Sequence, residues 1–182
     1  MTSLCVFALV AVFAGTIMSS AAQAQPDSHP KLVHTREEFS FVVNAPYDEA
    51  FPLFGAYEER KWAAGFYPQF VFPPSPHDQQ GMVFTTVQEG NNRTWINTAL
   101  DRAAGHAQYV YFIPETMVAL IDVRLARTGN WQTKVKVSYE RTALTPEAND
   151  YVRETAAADA NAGPHWAEMI SGYLGDSRAS KR

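Results

Sequence analysis

Apolar positions along the chain follow three different patterns. From Leu4 to Met18 they form an unbroken, uncharged run. From Glu38 to Val43, and again from about residue 81, they alternate with polar positions, as in strands with one wet face. Toward the C terminus they recur at helical spacing.

The alternating part predicts most of the fold. Glu38–Val43 is a first strand, stopped by Asn44-Ala45-Pro46. Pro46 suits a helix start, where a missing N–H costs nothing, and Asp48 and Glu49 suit its positive end. After Gly55 a second short helix is expected over Tyr57–Ala64. Six of the eleven prolines lie between Pro46 and Pro76, so this section should hold short elements and loops. Strands then follow at Met82–Val87, Arg93–Leu100, Gln108–Ile113, Val118–Arg127 and Trp131–Thr142, with short turns between them. In the last strand Trp131, Thr133, Val135, Val137 and Tyr139 share a dry face, and Lys134 and Lys136 lie on the wet one.

The cover for that dry face is C-terminal. Thr145-Pro146-Glu147 reads as a helix start with a capping hydroxyl, and Gly163-Pro164 as a kink or break. Tyr151, Thr155, Ala158 and Ala162 make one stripe, continued by Trp166, Met169, Ile170 and Tyr173. The small residues in its middle suit either close packing or the roof of a cavity.

The uncharged run is too short for a membrane span and is followed by Ala22-Gln23-Ala24, a small-x-small peptidase pattern. It predicts a cleavable signal peptide over 1–24 and a secreted or periplasmic chain with no stable membrane insertion after cleavage, with an uncleaved anchor as the alternative. Residues 25–37 read as a flexible leader, 38–175 as the domain and 176–182 as a disordered tail. Cys5 is the only cysteine, which removes disulfides, thiolate zinc sites and thiol nucleophiles from the folded part. A net charge of −4 without a basic stripe argues against nucleic acid as partner. With 46% hydrophobic and 13% aromatic residues, the chain has ample apolar mass for a core.

Phe41-Val42-Val43-Asn44-Ala45-Pro46 with Glu49 and Phe51, Glu59-Arg60-Lys61-Trp62-Ala63-Ala64-Gly65-Phe66-Tyr67-Pro68, Gly81-Met82-Val83-Phe84-Thr85 and Trp95 occur in order. Thr133-Lys134-Val135 and Tyr139-Glu140-Arg141-Thr142-Ala143-Leu144 continue the series. Together they resemble the SRPBCC superfamily (START-like, polyketide cyclase and Bet v 1-like proteins) over Glu38–Leu174. The resemblance implies an α+β helix-grip fold, in which a curved antiparallel sheet of six or seven strands wraps around a long C-terminal helix. Two short helices follow strand one. It implies no single activity, because the superfamily spans lipid carriers, hormone binders and cyclases.

Polar chemistry is sparse. His77-Asp78 lies in a proline-rich loop, His106 in a turn and His165 beside the kink; His29 and His34 belong to the leader. None has metal-ligand spacing, and no nucleophile elbow, phosphate loop or dinucleotide fingerprint occurs, so no metal, cofactor or catalytic residue is assigned. Asn92-Arg93-Thr94 spells a glycosylation acceptor, which matters only in a eukaryotic secretory pathway. Glu58-Glu59-Arg60-Lys61 reads as a solvated helix face, with Glu59 at most a structural anchor.

Aromatic residues are the stronger signal. Trp62, Phe66, Phe84, Trp95, Tyr109 and Tyr111 should converge with Tyr139, Trp166 and Tyr173 between sheet and helix. Ala158 and Met169 complete the expected wall. Tyr109, Tyr111, Tyr139 and Arg141 are the polar tips expected to orient a ligand. The leading expectation is a monomeric or weakly dimeric binder of a hydrophobic, lipid-like or aromatic small molecule. A cyclase- or dehydratase-like enzyme using the same cavity is the alternative, and a protein-interaction module acting through the convex sheet face is the third.

Overall fold

The computed structural model describes residues 31–180. The uncharged run, the Ala22-Gln23-Ala24 pattern and His29 lie outside these residues. The described chain holds seven strands: β1 (His34–Val43), β2 (Gln69–Phe72), β3 (Val83–Gln88), β4 (Asn91–Asp101), β5 (His106–Ile113), β6 (Met117–Gly129) and β7 (Gln132–Ala143). They form one antiparallel sheet in the order β1-β7-β6-β5-β4-β3-β2. The helices are α1 (Tyr47–Ala50), α2 (Ala56–Glu59), α3 (Asn149–Asp159) and α4 (Ala162–Ala179). A 3-10 turn at Phe51–Phe54 joins the first two helices. Among the described residues no helix is long and apolar enough to cross a membrane.

The period of two holds where it was expected. Thr133, Val135 and Val137 are fully buried, and Val137 stands opposite Phe39 on β1 and Val123 on β6. The outer face is charged, with Arg36 bonded to Glu140 at 2.7 Å and Lys136 to Glu38 at 2.9 Å. Trp131 departs from the expected dry face. It sits in the β6–β7 turn, 67% exposed, where the pleat no longer dictates its direction.

The connection after β1 is tighter than expected. Pro46 caps α1 from outside its first turn. The expected Tyr57–Ala64 helix is only the single turn α2, followed by bends that lead to Gly65 at φ +84. Asp78, from the loop before β3, accepts a 2.8 Å bond from the Tyr57 N–H and so caps α2. Gly55 makes room for it, since a Cβ there would run into the Asp78 carboxylate. The short edge strand β2 was not anticipated at all.

The C-terminal layer breaks earlier than expected, at Ala160-Asn161 between α3 and α4, rather than at Gly163-Pro164. Pro164 therefore falls in the first turn of α4, where no backbone donor is lost. Its ring would clash with the Ala160 carbonyl in a continuous helix, which explains the position of the break. Thr145 is extended but makes no side-chain capping bond, and a short 3-10 turn at Pro146–Ala148 leads into α3. Both helices pack on β1, and α3 also packs on β7. Val152, Ala156, Gly163, Ile170 and Leu174 form the buried stripe. Gly163 permits the close approach, since a Cβ there would lie 3.2 Å from the Phe39 ring. At the ends, β1 begins at His34 inside the expected leader, and α4 runs through Ala179 into the expected tail.

Candidate functional site

Between the β3–β7 side of the sheet and the helical layer lies an open cavity of about 660 Å³. A small inner chamber of about 40 Å³ adjoins it. The two share Glu59, Phe66, Trp95, Tyr139 and Trp166 as walls. Phe54, Phe84, Tyr109, Ile121 and Val123 complete the chamber.

The walls are held by two groups of rings. On the sheet side Trp95 stacks on Phe84 at 5.5 Å and meets Tyr111 at 4.4 Å, while Phe66 stands edge-on to both Phe84 and Trp95. On the helix side Trp166 meets Trp62 at 5.5 Å and Phe39 at 5.6 Å. Each buried indole on the fixed wall has a partner: Trp62 donates to the Leu53 carbonyl at 2.7 Å, and Trp95 to the Thr86 hydroxyl at 2.9 Å. These bonds lock the rings in place before any ligand arrives.

Most of the expected wall residues are brought together. Trp62, Tyr111, Arg141, Ala158 and Met169 line the open cavity with the shared residues, whereas Phe84 and Tyr109 line only the chamber. Tyr173 does not join them. It packs on the outside of the core, because α4 turns its Ile170 and Leu174 face inward.

The expected polar tips are partly engaged elsewhere. The Tyr109 hydroxyl donates to the Phe54 carbonyl at 2.8 Å, so it ties β5 to the turn after α1. Arg141 forms an ion pair with Asp159 at the end of α3, its Nη2 donating to Oδ1 at 3.1 Å, and its guanidinium lies 4.4 Å over the Tyr139 ring. The pair stitches β7 to the helical layer across the cavity rim. The Tyr111 hydroxyl is buried without a partner among the described residues. Desolvation raises the Tyr109 and Tyr139 hydroxyls above their ordinary value, so both stay protonated near neutrality.

Two groups at the cavity, Arg93 and Glu59, were not anticipated. Arg93 lines the rim, its side chain only 11% exposed, bonded to Gln88 and facing Glu89 at 3.3 Å. The Tyr151 hydroxyl joins the β3–β4 hairpin to α3 through the Asn91 amide and the Glu89 carboxylate, each at 3.3 Å. Glu59 is the most consequential. Its neighbour Glu58 turns outward to Lys61 at 2.6 Å, while Glu59 turns in and lines both cavities without an ion-pair partner among the described residues. Burial, reinforced by the negative charge of Asp78, pushes its carboxyl up to about 8. The described histidines stay apart: His34 meets Thr142, His77 meets Gln79 and His106 meets Asp122, while His165 alone among them lines the open cavity. No group of three or more potential metal ligands gathers among the described residues.

No protein-family model matches the chain, and no curated protein matches its sequence. Solved structures do match. Norcoclaurine synthase from Thalictrum flavum, in complex with dopamine and hydroxybenzaldehyde, aligns with a TM-score of 0.59 at 14% identity, covering 94% of this chain and 98% of that one. A truncated form of that synthase gives 0.61 at 13% identity, over 80% and 96%. Ara h 8.0201 gives 0.53 at 16% identity, over 78% and 98%. The architecture they share is the helix-grip fold. Identities this low establish the helix-grip fold and leave the chemistry to this chain's own residues.

Proposed function

We propose that this helix-grip chain is an exported binder of a hydrophobic, aromatic small molecule held between the sheet and the C-terminal helices. The observation that supports this reading is the open cavity of about 660 Å³, walled by fixed aromatic rings and rimmed by a few polar groups. That volume is in the range of sites for drug-sized ligands. The export part rests on the Leu4–Met18 run and Ala22-Gln23-Ala24 alone.

Glu59 gives the enzymatic alternative one proton-transfer group. A paired acid and base would need a second group beside Glu59, and desolvation holds the nearby Tyr109 and Tyr139 hydroxyls protonated. Binding is therefore the better reading. Uptake of the neutral fluorescent probe phenylnaphthylamine, followed through quenching of tryptophan emission, tests it. Wild type should bind, and Ala158→Phe, which fills the open cavity from α3, should lose uptake while staying folded. A folded wild type that takes up no probe would overturn the reading.

A further inference from the structure

Four of the five groups shared by the two cavities are aromatic, and the fifth is Glu59. The other charges on that surface are largely matched within the protein, Arg93 by Glu89 and Arg141 by Asp159. Among the described residues, Glu59 is the acid that stands without an ion-pair partner where the open cavity meets the inner chamber. Its carboxyl lies among these ring faces without a cationic partner from the described residues. The same rings present their negative faces to any cation that approaches it.

We propose that Glu59 and the surrounding rings recognise the protonated amine of an aromatic ligand, whose apolar body lies in the open cavity. The inference rests on the small-molecule binding reading and narrows it to a cationic class. An organic ammonium fits better than a metal ion, because one carboxylate among apolar walls supplies too few oxygen ligands. An anionic ligand would meet an uncompensated acid at the inner end of the cavity.

The site makes the affinity depend on pH. The carboxyl must lose its proton to pair with the amine, so with a value of about 8 in the empty cavity, binding strengthens as pH rises toward 8. The groups facing it from neighbouring elements are Asp78 behind α2, Tyr109 on β5 and Tyr139 on β7. Farther out stand His165 on α4, Tyr67, Tyr111 and the two rim ion pairs. His165 is the rim group that could imitate the effect, so the series is repeated in His165→Gln.

The test compares naphthylethylamine with naphthylethanol, which share shape and differ in charge, by isothermal titration calorimetry. At pH 8 the amine should bind at least about tenfold more tightly, and its affinity should fall by about tenfold per pH unit well below the Glu59 value while that of the alcohol stays level. Glu59→Gln should abolish both the preference and the slope. Equal affinities at pH 8, or a preference that survives Glu59→Gln, would overturn the proposal. Should Glu59→Gln fail to fold, the amine–alcohol ratio and the pH slope of wild type and His165→Gln decide it. Failure of the amine with normal uptake of phenylnaphthylamine removes only the cationic class, whereas failure of all three probes removes the binding reading itself.

Discussion

The C-terminal helices meet the rest of the molecule on two unlike faces. Val152, Ala156, Gly163 and Ile170 press onto the β1 side closely enough that a Cβ at Gly163 would lie 3.2 Å from the Phe39 ring. Partly round the same helices, Thr155, Ala158, Trp166 and Met169 face open space. Both faces are built from small and apolar residues, so composition does not separate them. What separates them is the opposite wall: β1 rises to meet the helices, whereas the rings of β3–β5 are held back by their own stacking and hydrogen bonds. One face supports the fold, and the other bounds a space.

That contrast is most severely tested at adjacent residues of α4. Ile170→Ala removes a side chain 1% exposed and should cost about 2–5 kcal/mol in urea unfolding, whereas Met169→Ala, on the cavity face, should cost less than about 1 kcal/mol. Equal costs would mean that the two faces are not different in kind.

Glu59 offers the next largest effect. Its carboxyl holds its proton up to about pH 8 in the folded protein, against about 4.5 when unfolded. The proton is thus bound more tightly by the folded state, and this group's contribution is full below pH 4.5 and lost as pH rises through 8. Glu59→Gln should therefore flatten the stability profile over that window and raise stability at alkaline pH by on the order of 3 kcal/mol. Denaturant curves at pH 5 and pH 9 for both proteins measure it, and an unchanged profile would show that the acid is solvated.

The smallest difference is expected within a pair on α3. Ala158→Phe should change stability by less than about 1.5 kcal/mol, because the ring enters open space, while Ala156→Phe overpacks the β1 face and should cost more, about 3 kcal/mol. Thermal unfolding of the two variants ranks them, and a reversed order would exchange the roles of the faces.

The β3–β7 meander was legible because a pleated strand with one buried face writes its period of two directly into the sequence, to within a residue or two at each end. Strand β2 carries no such signature: as a four-residue edge strand it is mostly exposed, and Val71 and Phe72 both face water. Proline was recognised as a helix breaker at Pro164, but its effect falls one turn upstream, where the ring would strike a carbonyl. The cavity walls were visible as an excess of aromatic residues, although helical spacing alone could not tell that Tyr173 turns outside. Glu59 was hidden for a different reason. In a one-turn helix such as α2, periodicity is too short to say which of two consecutive glutamates turns inward; the partner of Glu58 and the cap from Asp78, 19 residues beyond Glu59, settle it.

The break at Ala160-Asn161 has a consequence for how this chain can change over generations. A single long helix would transmit any rotation about its axis from one end to the other, so that a substitution altering the wall near Thr155 would also shift the face that holds Ile170 against the core. Divided into α3 and α4, the layer keeps such adjustments local. Within the limit set by its own Val152 and Ala156 on β1, α3 can reorient Ala158 and Asp159 toward a new occupant without turning the α4 face that holds Gly163 and Ile170 against the core, so inheritance can act on the rim in smaller steps.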